Sequence, residues 1–229
     1  MIMTKKNLPP PNLFSVFPPH LATLLFANAR SVRLKTNEVL FLAGDPGDGC
    51  YRVEQGLLKV SIISPGGAER ILAIVGPGAI VGEIATIDGL TRSASVSAIR
   101  DSELMFISRA AFTAFADTHP EVYKHLVTLL AARLRDVDAV VAAASFLPLK
   151  GRVARALLDL SEAFGQDIGG GRILIHQKIS QSDLAAMAGI ARENVSRILN
   201  DWIREKLVGR VSSYYCLENK ARLEREIAL

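Results

Sequence analysis

Two stretches of this chain carry residue types whose spacing can do chemistry. The first runs from Val81-Gly82-Glu83-Ile84-Ala85 to Thr91-Arg92-Ser93-Ala94, with an Asp88-Gly89 turn between them. A glycine lets backbone approach a ligand closely because it has no Cβ. The Glu83 carboxylate can accept from a ribose hydroxyl, and Arg92 offers a fork of donors that binds two phosphate oxygens at once. Ser93 and the backbone N–H groups around Ile84 and Ala85 can supply the remaining donors. Together these make a cradle for a ribose phosphate. The plainer reading of the same residues is a turn beside a surface salt bridge.

The second stretch runs from Ile179 to Leu207. Ser180 with Asp183 three residues later resembles a capping box, and it starts a helix over Gln181–Ala188. Gly189 breaks that helix, and a second follows from Arg192 to about Glu205. Two short helices joined through a glycine form a helix-turn-helix, with Leu184, Ala188, Ile190, Val195, Ile198 and Leu199 as the core that fixes their crossing angle. The second helix opens with Arg192, Glu193, Asn194, Ser196 and Arg197. In a major groove, arginine suits guanine O6/N7 and glutamate accepts from cytosine N4. Ser180 and Gln181, at the start of the first helix, complete the DNA-facing set. The alternative is the solvated face of a surface helix.

The elements that must position these residues change character along the chain. Residues 1–12 read as a loose tail, and a short helix is expected around Pro19–Asn28. From Ser31 to Ser108 short β-like runs alternate with glycine turns, the pattern of an all-β sandwich or barrel. The expected strands are Val32–Lys35, Val39–Ala43, Tyr51–Glu54, Leu57–Ile63, Arg70–Val75, Ser95–Ile99 and Glu103–Ile107. From Glu121 to Ser145 the chain holds neither glycine nor proline and reads as one long helix. Val127, Leu130, Leu134, Val137, Val141 and Ala144 recur along it at spacings of three and four, which is a coiled-coil seam. The same stripe can instead pack on the β domain. Phe146-Leu147-Pro148 is a natural hinge, followed by a helix from Gly151, a triple-glycine loop, and a hairpin over Val208–Leu217 that reads as a wing.

Composition narrows the chemistry. With 49% hydrophobic and 22% charged residues, the 229-residue chain is globular and long enough for two cores. The net charge of +4 is mildly basic, and the segment from Phe146 onward has thirteen Lys+Arg against ten Asp+Glu. DNA affinity must therefore come from local placement, with Lys178, Arg204, Lys206 and Arg210 as phosphate candidates. Two cysteines suit a reducing compartment, and the four histidines lack metal-ligand spacing. No signal peptide or membrane span is legible, so a cytoplasmic protein is expected.

With these residues in place, the order of parts resembles the cAMP receptor protein/FNR (Crp/Fnr) family of bacterial transcription regulators, from about Phe26 to Leu217. Gly82-Glu83…Arg92-Ser93-Ala94 and Arg192-Glu193-Asn194-Val195-Ser196-Arg197-Ile198-Leu199 carry the resemblance. It implies an α+β chain: a β jelly-roll cyclic-nucleotide-binding domain over 13–118, a long dimerisation helix and hinge over 119–147, and a winged helix-turn-helix over 148–229. It also implies a homodimer on double-stranded DNA, with Arg192, Glu193 and Arg197 reading a TGTGA-like half-site, and RNA polymerase as a further partner. Glu83 would hold the ribose 2′-hydroxyl and Arg92 the cyclic phosphate of cAMP or cGMP, assisted by Gly82 and Ser93. Neither an iron–sulfur cluster, which needs four cysteines, nor haem nor a metal is expected.

Two departures stand out. Val137 and Asp138 occupy the places where the family's cAMP-binding members contact adenine through Thr-Ser. Valine cannot hydrogen-bond a base; Asp138 can accept from an adenine amino group, and its two oxygens also match the paired N–H donors of guanine. The plainer reading is that Val137 improves the dimer seam and Asp138 is solvated. Ala191 stands where the family usually has a Ser or Thr helix cap. Other classes remain in view. A constitutive or otherwise gated regulator with a vestigial cassette is opposed by the intact Glu83 and Arg92. A nucleotide-binding module without DNA function is opposed by Arg192, Glu193 and Arg197. An enzyme is opposed by the lack of a clustered acid/base pair or activated nucleophile.

Overall fold

Strand pairing begins from two long strands. The computed structural model describes residues 18–227 and divides into two units, one ending at Asp136 and the other beginning at Val137; the expected tail at 1–12 lies outside the described residues. In the first unit β1 (Arg30–Leu34), β2 (Val39–Phe41), β3 (Gly49–Ile63), β4 (Glu69–Val75), β5 (Ile80–Val81) and β6 (Ser95–Ser108) form one antiparallel system. Its spine is β1-β6-β3-β4, with β2 on β6 and β5 on β3. Side chains on one face of each strand, among them Leu34, Phe41, Tyr51, Val53, Leu58, Val81, Val96 and Leu104, meet in a shared interior.

The β pattern was legible, but its segmentation was not. Tyr51–Glu54 and Leu57–Ile63 belong to the single strand β3, and Ser95–Ile99 and Glu103–Ile107 to the single strand β6. The expected turn at Gln55-Gly56 is a bulged bend, where the β3–β6 register shifts around Gln55 and Leu57. Gly56 has φ +101°, and a Cβ there would sit 2.1 Å from Ser102 Oγ. That hydroxyl accepts from the Leu57 N–H at 3.1 Å and donates to the Arg100 carbonyl at 2.7 Å. The bend is therefore stitched across both strands, and neither is interrupted.

Helices close one side of this unit. α1 (Pro19–Leu25), α3 (Arg109–Thr118) and the start of α4 (Glu121–Phe146) bury Leu21, Leu25, Phe26, Phe112, Ala116, Val122 and Leu126 against Cys50, Ile80 and Ile107. Neither α3 nor α2 (Glu83–Asp88) was anticipated. The Asp88-Gly89 turn is the end of α2, with Gly89 as its left-handed cap. α4 carries two stripes. Val122, Leu126, Leu129 and Ala132 are buried, whereas Val127 (65%), Leu134 (63%), Val137 (51%) and Val141 (59%) remain exposed. Within the first unit, Val127 and Leu134 of the seam read from the sequence are exposed and Leu130 is half-buried.

In the second unit α5 (Leu149–Phe164) starts directly after Pro148 and buries Val153, Ala156, Leu157 and Leu160. β7 (Gly165–Asp167), β8 (Ile173–Ile175), β9 (Val208–Val211) and β10 (Tyr214–Leu217) make a four-stranded sheet ordered β7-β8-β10-β9. The expected wing hairpin is its β9–β10 edge. α6 (Gln181–Ala188) and α7 (Arg192–Arg204) form the helix-turn-helix, and α8 (Lys220–Arg225), not foreseen, follows the sheet. Of the six expected core residues Ile190 is half-buried and the other five are buried; Trp202 and Leu223 are buried as well.

Candidate functional site

The chain around Gly82 can fold only as glycine allows. Gly82 caps α2 with φ +80°, and a Cβ there would lie 2.4 Å from Arg92 Nη1. That close approach seats Arg92, which is 3% exposed. Its Nη1 donates to the carbonyls of Gly49 at 2.7 Å and Gly82 at 2.9 Å, and its Nη2 donates to Asp48 Oδ1 at 2.6 Å. The guanidinium also lies over the Phe41 ring, 4.3 Å from its centre.

Glu83, at the first position of α2, is 1% exposed. Its Oε1 accepts from Arg133 Nη1, and Arg133 Nη2 donates to the Ile80 carbonyl at 3.1 Å. Burial pushes the Glu83 carboxyl above its ordinary range, with Arg133 as the main opposing influence. Glu83 Oε2 and Arg92 Nε are buried and have no hydrogen-bond partner. Beside them lies a cavity of about 30 Å³, walled by Phe41, Val60, Val81, Ala94 and Val96 and edged by Gly82, Glu83, Ile84, Ala85, Arg92, Ser93 and Arg133. Six of the eight residues expected at a ligand thus converge. Val137 and Asp138 follow Arg133 by four and five residues on α4, at the start of the second unit, and are exposed. Cys50 is buried nearby; burial, then the charge of Glu83, pushes its thiol up to about 12, so it remains neutral.

Sequence reasoning missed Arg133 and Asp48. Arg133 follows the buried Leu126 and Leu129 at helical spacing, so a charge on an apolar stripe was the available signal. Asp48 sits in the glycine-rich loop before β3, which reads only as a turn.

The second candidate site is the face of α7. The capping box at α6 is formed in both directions: Ser180 Oγ accepts from the Asp183 N–H at 3.0 Å, and Asp183 Oδ2 accepts from the Ser180 N–H at 3.2 Å. Gly189 ends α6 in the left-handed region at φ +64°. α7 then buries Val195, Ile198, Leu199 and Trp202, which turns Arg192, Glu193, Ser196 and Arg197 to a shallow groove that Gln181 also lines. Arg197 donates to Asn194 Oδ1, while Arg204 is paired with Asp201. On the wing Arg210 donates to the Tyr215 hydroxyl at 2.8 Å. Lys178 and Lys206 are exposed. Ala191 takes the cap position of α7 without a side-chain bond.

Known proteins with this arrangement share both parts. A cyclic nucleotide-binding domain matches residues 31–119, and a Crp-like helix-turn-helix domain matches residues 151–226. A CRP-like cAMP-activated global transcriptional regulator of Mycobacterium tuberculosis is 30% identical over 197 residues, which cover 84% of this chain and 88% of that protein. The Cyclic AMP receptor protein of Thermus thermophilus is 38% identical over 169 residues, 74% of each. The chain belongs to the Crp/Fnr family. A solved Crp/Fnr transcriptional regulator from Thermus thermophilus superposes with a TM-score of 0.70 at 27% identity, covering 86% of this chain and 98% of that one. As a Crp/Fnr protein the chain is a DNA-binding transcription regulator with a cyclic nucleotide-binding domain; it is not an enzyme. Among the described residues no group of three or more His, Cys, Asp or Glu can hold a metal, and no helix is long and apolar enough to cross a membrane.

Proposed function

We propose that this regulator is a homodimer whose affinity for a TGTGA-like palindrome is set by a cyclic nucleotide held at Gly82, Glu83, Ile84, Ala85, Arg92 and Ser93. The observation that carries this reading is the pair of buried, opposite charges at one small cavity, each keeping one unpartnered polar atom. A buried ion network is a poor source of stability, because desolvation offsets most of the Coulombic gain. A site awaiting polar groups accounts for it better. Glu83 Oε2 is free to accept from a ribose hydroxyl while Oε1 stays with Arg133, and Arg92 faces the phosphate. The apolar stripe of Val127, Leu134, Val137, Val141 and Ala144, all exposed, with the half-buried Leu130 among them, supports α4 as the dimer seam. Nucleotide that binds one dimer form better than another shifts the recognition helices toward one DNA turn apart. Such a dimer works in the cytoplasm beside RNA polymerase. Arg192, Glu193 and Arg197 read the half-site, with Ser180, Gln181, Asn194 and Ser196 beside them.

A second reading draws on the same cavity. At about 30 Å³ it holds roughly one water, and Arg92 already has three internal partners. A regulator of this fold gated by a different signal fits that observation.

Calorimetric titration with cAMP and with cGMP, run beside an operator-binding assay at fixed salt, separates the two. Binding of either nucleotide that also raises DNA affinity is the expected result. DNA binding indifferent to both nucleotides sinks the gated reading. Asp138→Ala is expected to shift the ratio of the two nucleotide affinities; an unchanged ratio removes Asp138 from base selection.

A further inference from the structure

α7 holds Arg197 and Arg204 by the same device with different chemistry. Arg197 donates through Nη2 to Asn194 Oδ1, and Arg204 donates through Nη2 to Asp201 Oδ1. Both acceptors lie three residues earlier, the spacing at which side chains on one helix face meet. Asp201 is an anion, so it offsets the charge of Arg204. Asn194 is neutral, so Arg197 is held in place and keeps its full charge for DNA.

We infer that Asn194 is a positioning residue for base readout and that it acts through Arg197. This rests on the DNA-reading role proposed above and assigns Asn194 a task within it. Three observations bear on it. First, Asn194 is half-buried while Arg197 is exposed at the open groove, so the amide is the better fixed of the two and can serve as the anchor. Second, one bond to Asn194 uses one of the five guanidinium donors and leaves enough for a two-point contact with guanine O6 and N7. Third, an asparagine reads adenine with its oxygen and its NH₂ together. Oδ1 already accepts from Arg197, so only its second lone pair is left for such a contact. Arginine carries large rotamer freedom, and fixing its fork before the encounter removes part of the entropy lost on binding.

The test uses the full-length protein and a set of duplexes in which every position of a TGTGA-like palindrome is varied through all four bases. Affinities are measured at fixed salt, with and without cAMP, for wild type, Asn194→Ala, Arg197→Ala, the double variant and Asn194→Asp. Arg197→Ala should flatten preference at one base position by roughly tenfold to a hundredfold. Asn194→Ala should weaken preference at that same position by roughly threefold to tenfold, the worth of one hydrogen bond. The double variant should be no worse than Arg197→Ala alone, because the two act as a unit. Asn194→Asp keeps the acceptor and is compatible with the first turn of a helix. It should preserve the ranking of bases while lowering affinity for every sequence, since the added charge faces phosphates. If Asn194→Ala changes preference at a different base, or adds fully to Arg197→Ala, the residue reads DNA itself and the inference falls. A wild type that binds without sequence preference overturns this inference together with the DNA-reading role; a selective wild type with an indifferent Asn194→Ala overturns this inference alone.

Discussion

Glu83 and Arg92 are a carboxylate and a guanidinium sunk to 1% and 3% exposure, whereas Glu193, Arg192 and Arg197 are the same two chemistries standing in the open on α7. The buried set is fixed by tertiary partners: two carbonyls and Asp48 for Arg92, and Arg133 for Glu83. On α7 the partners of Arg197 and Arg204 are local, a turn of helix away. The difference teaches where function and stability can be separated. Low dielectric strengthens every contact around Glu83 and makes each unpaired group expensive, so ligand chemistry there is bound up with folding. On α7 the apolar face of Val195, Ile198, Leu199 and Trp202 folds the helix, and the polar face, proposed above to read DNA, is not needed to hold it.

The sharpest way to break this contrast is Arg92→Ala. It strips three hydrogen bonds from a buried site and should destabilise the protein by about 3–5 kcal/mol, lowering Tm on the order of 10 °C, while abolishing nucleotide binding. A Tm within 2 °C of wild type, by the ±0.5 kcal/mol expected of surface substitutions and the roughly 2–4 °C that each kcal/mol is worth at this size, would place Arg92 with the α7 residues.

Arg133→Ala tests the other half of the buried set through pH. Burial holds the Glu83 carboxyl above its usual range, and removing Arg133 removes the chief influence that lowers it. For a carboxyl whose folded pKa is raised, the fold favours the protonated form. Its contribution is complete below the unfolded value of about 4.3 and is lost as pH climbs through the folded one. The variant's deficit against wild type should therefore be small near pH 4 and grow to about 3 kcal/mol at neutral pH. Urea denaturation at both pH values measures it. Equal deficits would mean that Arg133 acts by packing alone.

The cassette and the helix-turn-helix were legible because each is written in consecutive residues: a glycine beside its carboxylate, a serine three residues before its capping aspartate. What the chain brings together from afar was not. Asp48 and Arg92 are 44 residues apart, and Glu83 and Arg133 are 50 apart. The β3–β6 pairing, the backbone bonds between Arg92 and the Gly44-Asp45 turn, and the docking of α4 join them, and no local pattern announces any of these. Local signals were also overruled. Gln55-Gly56 carries the chemistry of a turn, yet β3 runs through it, because pairing with β6 on both sides and the Ser102 hydroxyl hold the strand together. α2 is six residues long and carries no side-chain cap, so it left no helical period to read.

On the exposed side the expected effects are smaller and should leave the fold alone. Arg192→Ala should weaken operator binding by about 1–3 kcal/mol and relax preference at one base pair, with stability changed by less than about 0.5 kcal/mol. A parallel loss of Tm would show that α7's polar face is coupled to its core after all.

The smallest change tests whether the ordering of α7 limits its use. α6 has a complete capping box, whereas α7 begins from Ala191, which is extended at φ −64° and ψ 144° and offers no side-chain oxygen. The Asn194 and Val195 N–H groups turn back to the Ala191 carbonyl at 3.1 and 3.3 Å, so the N–H groups nearer the start are what a cap would satisfy. Ala191→Ser supplies that acceptor in a backbone already shaped for it. It should stabilise the helix by roughly 1 kcal/mol and raise Tm by about 2–4 °C. Because the capped turn is the one that carries Arg192, Glu193 and Asn194, operator affinity should rise by up to about fivefold with the ranking of bases unchanged. A higher Tm with unaltered affinity would mean that α7 is already fully ordered when it meets DNA, and that its alanine cap burdens the fold but not the reading.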